Sequence, residues 1–273
     1  VGTFDFLNKA VIRGQVNWPS RFAITVEGDK RVFTSNDLPN HPTGVFPVAR
    51  DDPAYAADKN PNEIREQDMR IEVPLNPVVA EQARCVPGVA GIMLTGVALF
   101  DALDAELRDA VAHEVQDSCQ GHPQVTGTYH YHNLSSCLED KRGPDGHSAL
   151  MAYAIDGFGI YGHRGEGGTV LTNADLDECH GHTHQLTWDG RAVEMYHYHA
   201  TWEFPYTVGC FRGAFKVISA RILSGAPKGT RDRFDDAANK LGIPADTLRD
   251  SLGPPPPDYA GAAMKLGISE EVL

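Results

Sequence analysis

Over the first fifty residues short apolar runs alternate with polar ones. Val11-Ile12-Arg13, Arg21 to Glu27 and Lys30 to Phe33 follow the period of two that predicts strands. Gly28-Asp29, between two of these runs, predicts the tight turn of a hairpin. Asn36 to Gly44 is dense in Pro, Asn and Gly and predicts an ordered loop carrying His41, while Asp51 to Glu66 is polar with two prolines and predicts a surface connection. Met69 to Val73 predicts a strand closed by Pro74, and the apolar, glycine-dotted Gly88 to Leu99 predicts a buried strand with a turn. Leu103, Leu107, Val111 and Val115 keep helical spacing, so 101–115 predicts one helix capped by Asp101. Ser148 to Ile155 predicts a central strand that turns sharply at Asp156-Gly157 and continues to Gly162. After Arg231 the pattern becomes helical. Phe234 to Ile243 and Tyr259 to Ile268 are copies of one helix-turn unit, 25 residues apart and divided by Pro254 to Pro257. The expected architecture is mainly β, with antiparallel, sandwich-like sheets over 1–222, one helix near 101–115 and an α-helical tail over 223–273. The tail's expected role is packing or self-association into a homo-oligomer.

A second pattern is superimposed on the first. Tyr129-His130-Tyr131-His132 recurs as Tyr196-His197-Tyr198-His199. Each tetrapeptide is preceded by Cys-x-Gly-His, at Cys119 to His122 and at Cys179 to His182, and followed by a cysteine, Cys137 or Cys210. On a strand the two histidines of a copy share one face and the two tyrosines the other. Imidazoles two apart on a strand converge on one metal, and two paired strands would close a site between them. The expected ligands are His130, His132, His197 and His199 in a single shared centre, supplemented by His122, His182 and His41. Asp156 is the carboxylate best placed by sequence to act beside them, as general base or through a hydrogen bond to a ligand, with the alternative of holding its turn. His147 and His163 lack pair spacing and read as ordinary polar residues.

Composition narrows the setting. A chain of 273 residues with 41% hydrophobic residues can build a substantial core, and its formal charge of −13 disfavours nucleic acid or an anionic membrane as partner. No apolar run reaches the ~20 residues of a membrane span, so a soluble protein is expected. Val1 reads as the start of a mature or trimmed chain. Four of the five cysteines bracket the His units, which suits two disulfides and an exported protein, secreted or periplasmic. Cys119 with Cys137 and Cys179 with Cys210 would each enclose one unit; Cys119 with Cys179 is the competing arrangement. Cys85 is expected to be a buried thiol.

Asn40 to Gly44, Cys119 to His122, Tyr129 to His132, Tyr153 to Phe158 with Ile160-Tyr161-Gly162, Leu176 to His182, and Tyr196 to His199 running on to Phe204-Pro205-Tyr206 and Gly209 to Gly213 together resemble the YHYH-domain family. The resemblance spans roughly residues 20–215. It implies an exported protein and names no reaction. His180 stands where the family more often has Asn, which makes it either an added ligand or a polar neighbour. The helical tail lies outside the resemblance.

A transition metal, zinc or copper, is the expected cofactor. Three histidine ligands with an open position suit a zinc-dependent hydrolase or lyase. An all-imidazole set with tyrosines nearby suits a copper oxidoreductase. Four ligands saturating the ion suit a non-catalytic metal-binding or structural protein. No Gly-x-Ser-x-Gly or Walker motif occurs, which removes serine hydrolases with a nucleophile elbow and P-loop nucleotide enzymes from consideration. The substrate, small molecule or polymer, is not encoded in any recognisable motif.

Overall fold

The computed structural model describes residues 9–86, 88–214 and 221–223, together with 241, 243, 247, 248, 251 and 259–267. The chain divides into two compact units, Val1–Ser224 and Gly225–Leu273. The first unit begins with β1 (Val11–Ile12), β2 (Phe22–Glu27), β3 (Lys30–Ser35), β4 (Asp68–Pro74) and β5 (Val79–Arg84). Next come β6 (Val89–Met93), β7 (Ala98–Phe100), a single helical turn α1 (Ala110–His113), β8 (Gln116–Asp117), β9 (Gly121–Pro123) and β10 (Tyr129–Tyr131). They are followed by β11 (Leu150–Ala154), β12 (Gly159–Tyr161), β13 (Gly181–Trp188), β14 (Arg191–His199), β15 (Phe211–Gly213) and β16 (Arg221–Leu223).

The hairpin predicted around Gly28-Asp29 is β2–β3, closed by the pair Glu27 and Lys30. Gly28 sits at φ +63°, which a residue without Cβ adopts readily. Strand β4 extends this sheet, giving the order β16-β4-β3-β2. Met69, Ile71 and Val73 alternate inward along β4 and are buried. They pack, with Phe33, into the same core as Ile92 and Tyr153 of a larger sheet and Phe158 of its β11–β12 turn. The Phe33 and Tyr153 rings lie 5.0 Å apart across that junction.

The larger sheet has eight strands in the order β13-β14-β12-β11-β6-β7-β10-β9. It is antiparallel except at β7–β10 and β12–β14, which run parallel. Its strand order reads the same from both ends. At one end β9–β10 pair antiparallel with His122 opposite His130 and Gly121 opposite Tyr131; at the other, β13–β14 pair with His182 opposite His197 and Gly181 opposite Tyr198. Hairpin β6–β7 matches hairpin β11–β12. The central pairing of β6 with β11 sets Ile92 against Tyr153, Met93 against Ala152 and Gly91 against Ala154, so a pseudo-two-fold axis passes through the pair Ile92 and Tyr153. The duplication therefore includes the hairpin before each motif, with Thr95-Gly96 in one copy matching Asp156-Gly157 in the other.

The helix expected over 101–115 is shorter than its spacing suggests. Asp104 Oδ1 accepts from the backbone N–H groups of Glu106 and Arg108 at 2.8 and 2.9 Å, and Leu107 takes φ +62° with its side chain exposed. A carboxylate that offers the backbone this turn competes with the helix. Only Ala110–His113 remains helical, capped by Asp109. Both favoured disulfides are present, Cys119–Cys137 and Cys179–Cys210. Cys85 corrects the expectation of a buried thiol: it is exposed, just beyond β5, where five of six residues are exposed and one is half-buried.

In the second unit α2 (Tyr259–Leu266) carries part of the second tail copy, and Leu248 and Ala262 bury against Leu241, Ile243 and Leu266. Most of the first copy lies outside the described residues.

Candidate metal centres

Each Tyr-His-Tyr-His strand alternates faces as predicted, but the two do not meet. Strands β12, β11, β6 and β7 lie between β14 and β10, which separates them by five strand spacings, roughly 24 Å. The expectation of one centre shared by His130, His132, His197 and His199 is corrected accordingly. A strand at each end of a sheet cannot contribute to one ion, and each copy gathers ligands of its own.

In the first copy His122, His130 and His132 form a buried group. His130 Nδ1 lies 3.2 Å from the Thr128 carbonyl and His132 Nδ1 2.5 Å from that of Asp101. With Nδ1–H donated to those carbonyls, both rings present an Nε2 lone pair, and the two Nε2 atoms are 3.1 Å apart. Such an outer hydrogen bond fixes the tautomer that ligates a metal. Phe100 stacks on His130 with centroids 4.1 Å apart. Burial pushes His122 and His130 well below the usual imidazole range, reinforced by the neighbouring imidazoles. Glu114, which follows α1, brings Oε2 to 3.4 Å from His122 Nε2 and 3.3 Å from His132 Nε2. That oxygen is buried and makes no hydrogen bond, and neither ring nitrogen of His122 makes one among the described residues. A cleft of about 610 Å³ opens onto all four residues.

In the second copy the group is His147, His182, His197 and His199. Nε2 contacts of 3.1 Å link His182 to His197, His197 to His199 and His199 to His147. Burial pushes His197 down to about 3 and His199 to about 2, with nearby imidazoles adding to both, and also lowers His182. His147, read from sequence as an ordinary polar residue, belongs to the cluster. Its isolation in sequence hid it. Glu114 was missed for the same reason.

The remaining candidates lie elsewhere. His41 hydrogen-bonds Tyr131 Oη through Nε2 at 2.5 Å and the Pro42 carbonyl through Nδ1 at 2.9 Å, on the tyrosine face. Cys119 and Cys137 come near it, but their sulfurs are bonded to each other. Asp156 also lies on the tyrosine side. Its Oδ2 accepts from Tyr198 Oη at 2.5 Å and from the Gly213 N–H at 2.8 Å, and its Oδ1 from Phe158 N–H at 3.3 Å. The ring nitrogens of His180 lie 2.9 Å from the His199 carbonyl and 2.7 Å from Asn173 Oδ1, so this residue joins neither cluster. His163 stacks on Trp202 at 3.9 Å.

Behind the histidines each copy has the same brace. Asp117 accepts from Tyr129 Oη at 2.8 Å and from the N–H groups of Cys119 and Gly121 at 2.9 and 3.3 Å. Asp177 accepts from Tyr196 Oη at 2.9 Å and from Cys179 and Gly181, both at 3.0 Å. The tyrosines of the motif thus position the histidines from the opposite face. Residues 70–170 match the family model described as YHYH protein. This YHYH region contains the first cluster whole, and of the second it contains only His147. No curated protein and no solved structure matches the chain.

Proposed function

We propose that the chain is an exported metalloprotein whose first His cluster is an open metal centre for hydrolase or lyase chemistry. The observation that carries this reading is Glu114. A buried carboxylate oxygen without a hydrogen bond, 3.3–3.4 Å from two imidazole nitrogens, is costly unless a cation or a proton donor faces it. Three histidines and a carboxylate are a donor set that suits zinc, with metal–ligand distances of about 2.0–2.2 Å. When bound, such an ion acts as a Lewis acid and makes water acidic enough to supply a nucleophile near neutral pH. His122, His130 and His132 would hold it. Glu114 Oε2 would then take the proton from the attacking water, leaving the fourth position of the ion to that water.

The cleft bears on the substrate class. Around the cluster it is lined by Phe100, Leu103 and Val125 and by the carboxylates Asp101 and Asp104; among the described residues no Lys or Arg lines it, and Lys9, whose charge reaches Glu114 and His122, is bonded to the Val111 carbonyl and to Gln116 Oε1. That lining disfavours phosphate esters and suits neutral or cationic substrates. Two disulfides fit an oxidising compartment.

The test is turnover of the zinc-loaded protein on a neutral p-nitrophenyl ester and on p-nitrophenyl phosphate. Hydrolysis of the ester alone is expected, with Glu114→Gln reducing it on the order of 100-fold or more if Glu114 is the base. Ester turnover no faster than free zinc, or turnover indifferent to both Glu114→Gln and His132→Ala, would refute the proposal.

A further inference from the structure

We infer that the second repeat holds a separate ion on His147, His182, His197 and His199, and that this centre is closed where the first is open. The argument begins with protons. His147 Nδ1 lies 2.8 Å from the Ser148 carbonyl, His197 Nδ1 3.2 Å from that of Met195 and His199 Nδ1 2.7 Å from that of Gly162. A carbonyl only accepts, so each Nδ1 carries the hydrogen and each Nε2 a lone pair. These lone pairs face one another at 3.1 Å. Two acceptors at that distance repel. A hydrogen bond between them would require an imidazolium, a charge placed among buried rings with no carboxylate hydrogen-bonded to His197 or His199 among the described residues. A metal cation satisfies all the lone pairs at once. Its geometry is compatible, because ligand nitrogens of a tetrahedral ion at about 2.0–2.1 Å stand about 3.3 Å apart.

The two repeats differ in their fourth donor. Ile92 and Tyr153 are equivalent across the pseudo-two-fold axis, so His147 corresponds to Val86 at the same offset, six residues earlier in each copy. Val86 lines the open cleft of the first centre. Asp117 and Asp177 are likewise equivalent through the braces they form, and three residues before them stand Glu114 and Ala174. One copy has a carboxylate and an apolar cleft wall; the other has a fourth imidazole, and a methyl group where the carboxylate would be. Glu166 pairs instead with His184 at 3.1 Å. The cleft beside the second cluster, about 550 Å³, is bordered by His147 but not by His182, His197 or His199. Four neutral nitrogens select zinc or copper(II) over magnesium or calcium. They also leave no position for water on a four-coordinate ion, and through His147 they tie the segment between the repeats to β14.

The test is zinc and copper analysis of the untagged full chain by inductively coupled plasma mass spectrometry. Two ions per chain are expected, one lost in His147→Gln and in His199→Ala, the other lost in His130→Ala, and both lost when His199→Ala and His130→Ala are combined. His147 lies outside the strands, so His147→Gln keeps the test valid if His199→Ala misfolds. Metal content unchanged in both His147→Gln and His199→Ala overturns the inference. A single ion removed by His130→Ala alone also overturns it and leaves the proposed function standing. A single ion removed by His147→Gln alone supports it and removes the centre on which that function rests. In the cobalt-substituted protein, azide should alter only the absorption that His130→Ala abolishes; azide acting on the bands that His147→Gln abolishes shows the second centre to be open and overturns the closed geometry.

Discussion

Replacing Asp156 by alanine removes an acceptor from three buried donors at once: Tyr198 Oη, the Gly213 N–H and the Phe158 N–H. Tyr198 Oη also accepts from the Arg212 N–H at 2.8 Å, so that bond between β14 and β15 remains while the Gly213 anchor of β15 is lost. Each buried donor left without a partner costs about 1–3 kcal/mol. Some of that is recovered because the carboxylate is itself costly to bury, and desolvation raises its pKa. The net expectation for Asp156→Ala is a loss of about 3–5 kcal/mol, against a total stability of about 5–15 kcal/mol. With an m-value of about 3 kcal/mol/M for a unit of this size, the urea midpoint should fall by about 1–2 M. Asp156→Asn keeps one oxygen for Tyr198 and Gly213 and should cost about 1 kcal/mol. The assay is urea unfolding followed by circular dichroism, with disulfides intact, beside metal content and turnover per folded molecule. A wild-type midpoint in Asp156→Ala, or an Asp156→Asn protein that keeps its midpoint and its metal but loses turnover, would refute the bracing role and return Asp156 to the chemistry.

Stripped of metal by a chelator, the protein should lose stability as pH falls. His197 and His199 are held neutral at about 3 and about 2 against an ordinary 6.5. The unfolded chain takes up those protons below pH 6.5 while the folded chain does not, so stability present above pH 6.5 drains away towards pH 3, by up to ~1.4 kcal/mol per residue per pH unit. A melting temperature that stays flat from pH 7.5 to 4.5 would contradict this. Gly181→Ala should lower both stability and metal content, because its Cβ would stand 2.4 Å from Tyr196 Oη and 2.5 Å from the His197 carbonyl oxygen. Gly190→Ala meets no atom and should cost only about 1 kcal/mol, from its φ of +76°; equal unfolding midpoints for the two would refute the packing argument. Ellman's reagent should find one fast-reacting thiol in the native protein and one in total after denaturation, since Cys85 alone is exposed and unpaired among five cysteines.

Local periodicity carried the strands well. The Gly28-Asp29 hairpin, β4, the turn at Asp156-Gly157 and the alternation of His and Tyr across the motif strands all depend on neighbours in sequence, and period two encodes them directly. The disulfides followed from cysteines bracketing the same units. Helical spacing over 101–115 misled, because an Asx turn at Asp104 outcompetes helix at a site where leucine periodicity has no say. What stayed hidden was long-range. The motif strands looked like partners because they are identical, yet each is satisfied by a parallel strand from its own copy, β7 or β12. Glu114 and His147 reach their clusters through tertiary packing, and neither stands in a motif. The duplication itself was visible only in part, since Gly91 to Phe100 and Ala152 to Tyr161 share a pattern of turn and apolar positions but few identities.

The pairing of β6 with β11 has a bearing on how such a molecule could be divided. Cut between the repeats, either half would end in a bare strand with unpaired N–H and C=O groups beside buried apolar side chains, Ala90 and Ile92 in one half and Met151 and Ala152 in the other. Such an edge is a template for the next chain. A half expressed alone would therefore seek a second copy of itself across the same seam, and the smallest stable form of the repeat is a pair. Joining the two copies in one polypeptide turns that association into an intramolecular contact, independent of concentration. It also frees each copy to change its own ligands without altering the other's.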